Sequence, residues 1–412
     1  MASAATDQPF RVAIIGGGLC GLALAIALTK RSIPYTIYET RASFTEIGAG
    51  INLAPNSLEA FNLIDPSLGE VIFKLATRNP PGRENIWLSV RLGAPTTNFQ
   101  DAELVVDVDA PPTGNTTVSR NELLQEMSSR IHRENAKFNK KLVAYQQHDD
   151  GVTMSFEDGT TESASLVIAC DGAHSAMRQL IIRPDNPASS AHYSQMGVYR
   201  AVVPMHEHEE AVGKAIANSS HVWCGPGAYI IMYPINGGQH VNVGFWPWKK
   251  GDWKHRAWVL DNQKAGLLQD YKAWGPTVQQ MLERTSEQTQ FWATHHHSVK
   301  PKSYFDDRVI VIGDAAHSMG PHVVSSMPAI ACASYLTNTT LGPRGCSEHG
   351  RRLCHGGGFA RSLDATSRHS ACCISLHRSR IHRLRNRATS KIRAGTGHQL
   401  RSHVLLGGLL EA

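Results

Sequence analysis

The sequence predicts an α/β fold built on a parallel sheet. Three observations lead to this prediction: a glycine-spaced strand–helix–strand unit near the start, two later apolar runs that end at an acid and a glycine, and a middle block of shorter strand-like segments. Parallel strands buried on both faces read as continuous apolar runs. We therefore expect a parallel nucleotide-binding sheet together with a second, mainly antiparallel sheet.

The first unit spans residues 11–41. Gly16, Gly18 and Gly21 follow an apolar run, and an Ala- and Leu-rich helix is predicted to begin at about Leu19. The first glycine allows a tight exit from the strand, the second lets a pyrophosphate approach the backbone, and the third lets the helix pack on the sheet. The helix N-terminus then offers backbone N–H groups and a positive dipole end to phosphates.

An acidic residue completes this unit. Glu39 lies 18 residues after Gly21, close to the spacing at which a carboxylate accepts hydrogen bonds from an adenosine ribose. An acid at this place favours FAD or NAD over NADP. The sequence therefore predicts a Rossmann-like dinucleotide-binding domain.

Two later apolar runs end in a similar way. Residues 166–169 lead to Asp171-Gly172, and residues 309–312 lead to Gly313-Asp314. Because ligands bind at the carboxyl ends of parallel strands, we expect these two strands and the first strand to share one sheet. No second GxGxxG motif follows a strand, which argues against a separate domain for a nicotinamide donor.

Other patterns predict the remaining elements. Ser119 and Glu122 form a capping box that opens a helix, residues 142–145 and 152–156 read as a hairpin, and one amphipathic helix is expected near residues 264–284. The predicted domains are a nucleotide-binding domain over 1–180 with a β excursion near 86–108, a substrate domain over 181–289, a return to the first domain over 290–321, and an atypical tail over 322–412.

The net charge of +6 hides a change of character near residue 322. Residues 322–412 hold 13 basic and 3 acidic residues, a net charge of +10, whereas residues 1–321 hold 28 and 32, a net charge of −4. Five of the eight cysteines also lie in this tail. The start shows neither a secretory signal nor an apolar span long enough for a membrane, so the expected location is the cytoplasm, without membrane insertion.

At these motifs the chain resembles the FAD-dependent aromatic hydroxylases of the p-hydroxybenzoate and salicylate hydroxylase type, particularly the fungal branch that acts on polyketide phenols in secondary metabolism. The resemblance covers about residues 10–321 and implies a Rossmann-like FAD-binding domain with an inserted, mainly antiparallel β-sheet substrate domain. It rests on Gly16, Gly18, Gly21, Glu39, the run GAGI at 48–51, Arg120, Asp171-Gly172 with Ser175 and Arg178, and Gly313-Asp314 with His317 and Pro321.

The resemblance also implies roles for the cofactor-binding residues. Glu39 would bind the adenosine ribose, Arg120 would reach the dinucleotide backbone, and Asp314 would bind the ribityl chain. Asp171-Gly172 would lie beside the pyrophosphate and the path of the nicotinamide donor, and Gly50 belongs to the same cofactor-binding set. The alternatives are an Arg120 that is only a solvated first-turn residue and an Asp314 that merely caps the next helix.

Two polar residues stand in apolar strand-like segments of the middle block. Burial of Arg200 or Tyr233 without a partner would be costly, so each should have a partner or a ligand. By the resemblance to the fungal branch, Arg200 would pair with a phenolate oxygen and Tyr233 would orient the substrate ring by a hydrogen bond. The alternative is an internal ion pair for Arg200 and a core role for Tyr233.

The function implied by the resemblance is hydroxylation of a small aromatic substrate with FAD as cofactor and NAD(P)H and O2 as co-substrates, through a C4a-hydroperoxyflavin. The alternatives are a flavin oxidoreductase that inserts no oxygen and an inactive flavin-binding or truncated chain. No metal is expected, because His295, His296 and His297 are adjacent and cannot converge from a strand. No nucleic-acid partner is expected, because Trp246, Trp248 and Trp253 are better explained as packing at a domain edge.

The sequence after residue 321 is the reason for the alternative of an inactive flavin-binding or truncated chain. After Pro321 the family has a glycine-rich turn that opens a helix directed at the flavin ring, but here those glycines are absent. One hypothesis is that residues 322–412 arise from a shifted reading frame or a retained intron. The other interpretations are an RNA-binding arm or a zinc site formed by Cys346, His349, Cys354 and His355.

Overall fold

The computed structural model describes residues 10–45, 50–95 and 100–319. The predicted tail, residues 322–412, lies outside them. The strands are β1 Val12–Ile15, β2 Tyr35–Tyr38, β3 Gly50–Asn52, β4 Thr77–Arg78, β5 Ile86–Leu92, β6 Leu104–Asp109, β7 Thr116–Ser119, β8 Ala136–Lys137, β9 Leu142–Gln147, β10 Val152–Phe156, β11 Thr161–Ala164, β12 Leu166–Ala169, β13 His192–Pro204, β14 His221–Gly225, β15 Ala228–Ile235, β16 His240–Pro247, β17 Val259–Leu260, β18 Gln290–His296, β19 Phe305–Asp306 and β20 Val309–Val311. The helices are α1 Leu19–Lys30, α2 Pro55–Ile64, α3 Pro66–Leu75, α4 Arg120–Ser129, α5 Ala176–Ile182, α6 Met205–Val212, α7 Lys214–Ala217, α8 Lys264–Asp270, α9 Pro276–Glu283 and α10 Asp314–His317.

The six-stranded sheet contains the three predicted strand ends. Its order is β19-β20-β12-β1-β2-β8, and β1 pairs in parallel with both β2 and β12, while β12 pairs in parallel with β20. The prediction that the strands before the three glycine–acid motifs share one parallel sheet is confirmed. The chain leaves β1 for β2 on one side and later returns as β12 on the other, so the edge between β1 and β12 is a topological switch point, where such sheets bind ligands.

Helix α1 packs against this sheet with almost no exposed surface. Ten of its residues, from Leu19 through Leu28, are buried, because Ala and Leu alternate around the helix without a polar face. Together with Val12 and Ile14 of β1 and Tyr35 and Ile37 of β2, it belongs to one hydrophobic core. The glycine turn is therefore held in place by strand β1 before it and helix α1 after it.

The eight-stranded sheet is the second large layer, with the order β17-β18-β13-β16-β15-β14-β5-β6. Its pairs are antiparallel except for β14 and β5. The predicted β excursion near 86–108 supplies β5 and β6 at one end of this sheet. Strand β18, Gln290–His296, lies after the predicted boundary at 289 and pairs with β13 in the same sheet.

The prediction of a single helix near residues 264–284 is wrong, because the structure has two helices there, α8 and α9. Gly275 is the N-cap of α9 and Pro276 occupies its first turn. Proline is well suited to a first helical turn but cannot continue a preceding helix, because it lacks the N–H that the helix needs. Both helices contribute residues to the hydrophobic core on one face of the eight-stranded sheet.

A small sheet connects the two large ones. Strands β3, β7 and β4 form an antiparallel sheet, and the hydroxyl of Thr117 on β7 donates to the carbonyl oxygen of Pro234 on β15 at 2.6 Å. One half of the predicted capping box is confirmed here, since the Ser119 hydroxyl accepts from the N–H of Glu122 at the start of α4. The predicted hairpin is also confirmed as β9 and β10, with β11 as its third strand.

Two histidines are buried in the layer around the eight-stranded sheet. Burial lowers the pKa of His208 to about 4 and, with the nearby Arg91 and Arg83, lowers the pKa of His221 to about 3. Both imidazoles are neutral and buried. Nε2 of His208 lies 3.3 Å from the sulfur of Met232. Nδ1 of His221 accepts a hydrogen bond from Nε of Arg91. Both rings are therefore uncharged in the folded chain near neutral pH.

We expect the free energy of unfolding to fall as the pH drops below about 6.5. An unfolded histidine has a pKa of about 6.5, so the unfolded chain binds more protons than the folded chain between that pH and about 4. Each histidine then costs up to about 1.4 kcal/mol per pH unit. Urea unfolding at pH 7.5 and 5.5 tests this. The double variant His208→Asn, His221→Asn should lose less stability over the same interval, and an equal loss would contradict the assignment.

Candidate active site

The glycine turn after β1 has the geometry of a phosphate-binding turn. Gly16 has φ +100°, and a Cβ there would lie 2.6 Å from the carbonyl oxygen of Cys170. A Cβ on Gly21 would fall well under 3.0 Å from the carbonyl oxygen of Gly16, whereas a Cβ on Gly18 would meet no atom within 4 Å. Helical bonding starts with the N–H of Leu22, so the first-turn N–H groups of α1 face the open space at Gly18.

Glu39 follows β2 directly and lies against this turn. One carboxylate oxygen accepts from the N–H of Gly17 at 2.7 Å, and the other accepts from the N–H of Arg41 at 2.8 Å. Each oxygen retains a further lone pair for a ligand hydroxyl. The structure thus fixes a carboxylate beside the glycine turn by hydrogen bonds from the backbone.

Asp171 brings the end of β12 to the same turn. Its Cα would lie 3.1 Å from a Cβ on Gly16, and the next residue, Gly172, has φ +79° with open space beside it. The Asp171 carboxylate accepts from the hydroxyl of Ser175 and from the N–H of Met177. Burial raises the pKa of Asp171, and these hydrogen bonds counteract part of that effect. The carboxylate therefore fixes the start of α5, and the backbone of Asp171-Gly172 borders the turn.

Asp314 begins α10 after β20. Its side chain is exposed, and its charge acts on the first turn of α1: the pKa of Cys20 is raised by a hydrogen bond to Cys170, by burial and also by Asp314. The three strand ends therefore meet, with Glu39 and Asp314 presented near the same helix N-terminus.

Tyr233 occupies a second part of the site, on the eight-stranded sheet. Its side chain is buried, and burial raises its pKa to about 12, against the opposing charges of Arg200 and Arg120. A Cβ on Gly50 would lie 2.5 Å from the Tyr233 ring. Strand β3 of the small sheet therefore contacts the sheet that carries Tyr233, and Arg120 at the start of α4 acts electrostatically on Tyr233 from that side.

The expectation that Arg200 is buried is wrong. Arg200 is exposed, and its guanidinium lies 4.6 Å from the centre of the Trp292 ring. In β13 its neighbours Tyr199 and Val203 point into the hydrophobic core, and because side chains alternate along a strand, Arg200 lies on the opposite face. That face also carries Tyr233.

Sequence reasoning missed Asn242. Its side-chain oxygen accepts from the N–H of Gly50 at 3.0 Å, and it pairs with Tyr233 across β16 and β15. The signal was the period-2 pattern of β16, which puts Asn242 and Trp246 on the face opposite Val241 and Val243. After His240 at its start, β16 has Asn242 as a polar residue among apolar ones, which marked this position.

In 10–45, 50–95 and 100–319, three or more His, Cys, Asp or Glu residues are nowhere grouped so that they could hold a metal ion. Over the same ranges, every helix is too short or too polar to cross a lipid bilayer.

The parallel sheet, the glycine turn and the adjacent carboxylates define a dinucleotide-binding α/β protein. The open space at Gly18, the first-turn N–H groups and the carboxylates of Glu39 and Asp314 fit a flavin dinucleotide, which carries a pyrophosphate between hydroxyl-rich groups. A family model described as FAD binding domain matches residues 10–324. The chain belongs to this family, and FAD is its cofactor.

Individual relatives narrow the class. The chain is 35% identical over 319 residues to 6-methylsalicylate 1-monooxygenase atA of Aspergillus terreus, covering 75% of this chain and 70% of that protein. It is 32% identical over 315 residues to the FAD-dependent monooxygenase pigN of Monascus ruber, covering 76% and 72%. A solved salicylate hydroxylase substrate complex is 26% identical with a TM-score of 0.68, covering 80% of this chain and 79% of that one. The chain is an FAD-dependent monooxygenase of the aromatic hydroxylase type.

Proposed function

We propose that this chain uses NAD(P)H and O2 to hydroxylate a phenolic small molecule. The observation that supports this most is the position of Tyr233. It is a buried phenol within the electrostatic reach of two guanidinium groups, on a sheet face that the FAD-binding part of the chain contacts through Gly50. Two of the relatives, the 6-methylsalicylate 1-monooxygenase and the salicylate hydroxylase, are named for salicylate-type acids, which are phenols of this class.

The cofactor would be held at the edge of the parallel sheet. The turn of Gly16, Gly18 and Gly21 would receive the pyrophosphate. Glu39 would accept hydrogen bonds from the adenosine ribose, and Asp314 from the ribityl hydroxyls. The backbone of Asp171-Gly172 would border the pyrophosphate, and Arg120 and Gly50 would lie toward the flavin end. When bound, FAD supplies the redox chemistry that takes electrons from NAD(P)H and activates O2.

Arg200 and Tyr233 would prepare the substrate ring for reaction. Because the pKa of Tyr233 is about 12, its hydroxyl stays protonated at neutral pH and can donate to the oxygen of a phenol substrate. The guanidinium of Arg200 would stabilise the same oxygen as a phenolate, which makes the ring electron-rich. Its guanidinium carbon lies 4.6 Å from the centre of the Trp292 ring, a cation–π contact that would hold the charge at this face before the substrate binds.

The contact between β3 and β15 would keep water from the reacting ring. Gly50 allows the closest approach, since any side chain there would strike Tyr233. The Asn242 side chain holds the Gly50 N–H, so the backbone polar group at this contact has a partner. A closed boundary of this kind favours transfer of oxygen to the substrate over release of peroxide.

Arg200→Ala and Tyr233→Phe test these roles. We expect kcat/KM for hydroxylation to fall by about 100-fold in Arg200→Ala and by about tenfold in Tyr233→Phe, because each removes a group that stabilises the developing phenolate. NAD(P)H oxidation should fall less than hydroxylation, so that product formed per NAD(P)H decreases. The measurement is product by chromatography beside NAD(P)H by absorbance, with FAD affinity determined separately.

Tyr199→Phe is the matched control, since Tyr199 is a buried tyrosine of the same sheet that faces the opposite core and donates to Asp270. Its product per NAD(P)H should equal that of the unchanged chain. Unchanged coupling in both Arg200→Ala and Tyr233→Phe would reject their proposed roles. Absence of oxygen-18 from the product under ¹⁸O2 would reject hydroxylation itself, in favour of a flavin oxidoreductase that inserts no oxygen.

A further inference from the structure

We propose that Trp246 sets the size limit of the substrate, restricting the site to a single aromatic ring. This inference rests on the proposed function and concerns the same site. The strand register shows which side chains share the face of Tyr233. Tyr229, Ile231 and Tyr233 alternate along β15, and they pair with Trp246, Gly244 and Asn242 on β16.

This face is distinct from the hydrophobic core of the sheet. The intervening residues, Ile230 and Met232 on β15 and Val243 and Phe245 on β16, are buried in the core on the opposite face. We call residues that pair with one another across neighbouring strands a row. Arg200 pairs with Gly244, and Gly244 pairs with Ile231, so these three residues form one row. The three rows therefore run from Tyr233 and Asn242, through Arg200, Gly244 and Ile231, to Trp246 and Tyr229.

The middle row forms the floor of the site. Gly244 has no side chain, and it stands between the two groups assigned to the phenol oxygen, Arg200 in its own row and Tyr233 in the next. Successive rows on one face are about 7 Å apart along the strand. The whole face from Tyr233 to Tyr229 therefore spans about 13 Å, a length that could hold more than one fused ring if the middle row were open.

Trp246 shortens that length. A Cβ on Gly244 would lie 2.7 Å from Nε1 of Trp246, so the indole leans over the glycine and covers part of the floor. The Tyr229 ring is parallel to it, with the ring centres 6.0 Å apart. The Tyr229 hydroxyl lies 3.1 Å from the sulfur of Met196, which fixes the ring behind the indole.

The opposite end of the face is closed by backbone. Gly50 of β3 abuts the Tyr233 ring and is held there by Asn242. A substrate whose oxygen lies between Arg200 and Tyr233 therefore extends toward Trp246, where the indole would meet any second fused ring. The space between the two ends suits one six-membered ring with small substituents.

The test compares two acids with the same hydroxyl and carboxylate edge, salicylate and 1-hydroxy-2-naphthoate, which carries a second fused ring. Their affinities for the FAD-loaded chain are measured by calorimetry in the unchanged protein and in Trp246→Ala and Trp246→Phe. We expect the ratio of naphthoate Kd to salicylate Kd to fall at least about tenfold in Trp246→Ala and by less in Trp246→Phe. Trp248→Ala, an exposed tryptophan two residues further on, is the matched control and should leave the ratio unchanged.

An unchanged ratio in both Trp246 variants overturns the proposal, and so does the absence of binding of both acids to every variant. Trp246→Phe keeps an aromatic ring and protects the test if the alanine variant does not fold. Hydroxylation of each acid is followed separately with ¹⁸O2. A shifted binding ratio without labelled product would support the size limit and reject the proposed function, so the two failures are distinguishable.

Discussion

Replacing Gly21 by alanine is expected to lower the free energy of unfolding by about 3 kcal/mol, whereas replacing Gly18 by alanine should leave the fold stable. The added methyl of Gly21→Ala would strike the carbonyl oxygen of Gly16. That carbonyl cannot move away easily, because Gly16 has φ +100° and its N–H donates to Tyr38 at 2.9 Å. The clash is between backbone and Cβ, so no side-chain rotation relieves it.

Gly18→Ala should act on the cofactor instead. Gly18 has φ −74°, which alanine adopts readily, and the space beside it is open. The methyl would enter the region in front of the first-turn N–H groups of α1, where a pyrophosphate must approach. We expect FAD affinity to fall at least about tenfold in the folded variant.

Two measurements on the same pair of variants separate the effects. Urea unfolding of the chain without FAD reports stability, and FAD titration by fluorescence reports affinity. The expected pattern is a stability defect in Gly21→Ala and an affinity defect in Gly18→Ala. Full FAD affinity in Gly18→Ala would mean that the pyrophosphate does not pass this glycine, and full stability in Gly21→Ala would mean that helix α1 can withdraw from the turn.

The nucleotide-binding unit could be predicted because its determinants are local. Four consecutive apolar residues, three glycines at fixed spacing and a buried Ala/Leu helix lie within residues 11–41, and the structure confirms their order. The shared sheet of β1, β12 and β20 followed from one further rule, that continuous apolar runs form buried parallel strands. The positive φ of Gly16 and the close approach of Gly21 in α1 to the Gly16 carbonyl agree with the physical reasons given for these two glycines.

The eight-stranded sheet was harder to predict because its pairings are distant in sequence. Strand β5 pairs with β14 more than 120 residues later, and β18 joins β13 across a predicted domain boundary. Strand register also decides which face a residue occupies, and a shift of one residue reverses it. The exposure of Arg200 depended on that register, so the apolar sequence around it was not sufficient to predict burial.

The break between α8 and α9 was present in the sequence and was misread. Gly275-Pro276 stands in the middle of the amphipathic pattern, and this pair commonly marks the end of one helix and the first turn of another. The period-2 pattern of β16 indicates the face that Asn242 occupies but not its contact with Gly50, which lies 192 residues away. Helical propensity and strand periodicity do not report contacts of that range.

Replacing Arg178 by methionine is expected to cost about 3–5 kcal/mol of stability and to weaken FAD binding in whatever fraction still folds. Arg178 is 1% exposed. Its guanidinium donates to the carbonyl oxygens of Ala188, Ala315 and Ala316. Burial lowers its pKa, yet an arginine remains charged at neutral pH. The side chain thus ties α5 to α10 through buried backbone acceptors.

The methionine variant would leave these three carbonyls without their donor in a buried environment, and each such group costs about 1–3 kcal/mol. Two of them belong to α10, the helix that Asp314 begins, so the carboxylate assigned to the ribityl chain loses its support. Arg178→Lys should recover part of the stability, because an ammonium can reach one or two acceptors but not the spread that a planar guanidinium spans. Chemical unfolding and FAD titration of both variants measure this order.

Arg133→Met is the control for loss of a positive charge, because Arg133 is an exposed arginine. Its stability and FAD affinity should match those of the unchanged chain. If Arg178→Lys matched it as well, the guanidinium geometry would be unimportant and α10 would be held by its hydrophobic contacts. Arg178→Lys retains the charge and changes only the directions of the hydrogen bonds. If its loss of FAD-binding free energy exceeds its loss of unfolding free energy, Arg178 acts on the cofactor through the position of Asp314.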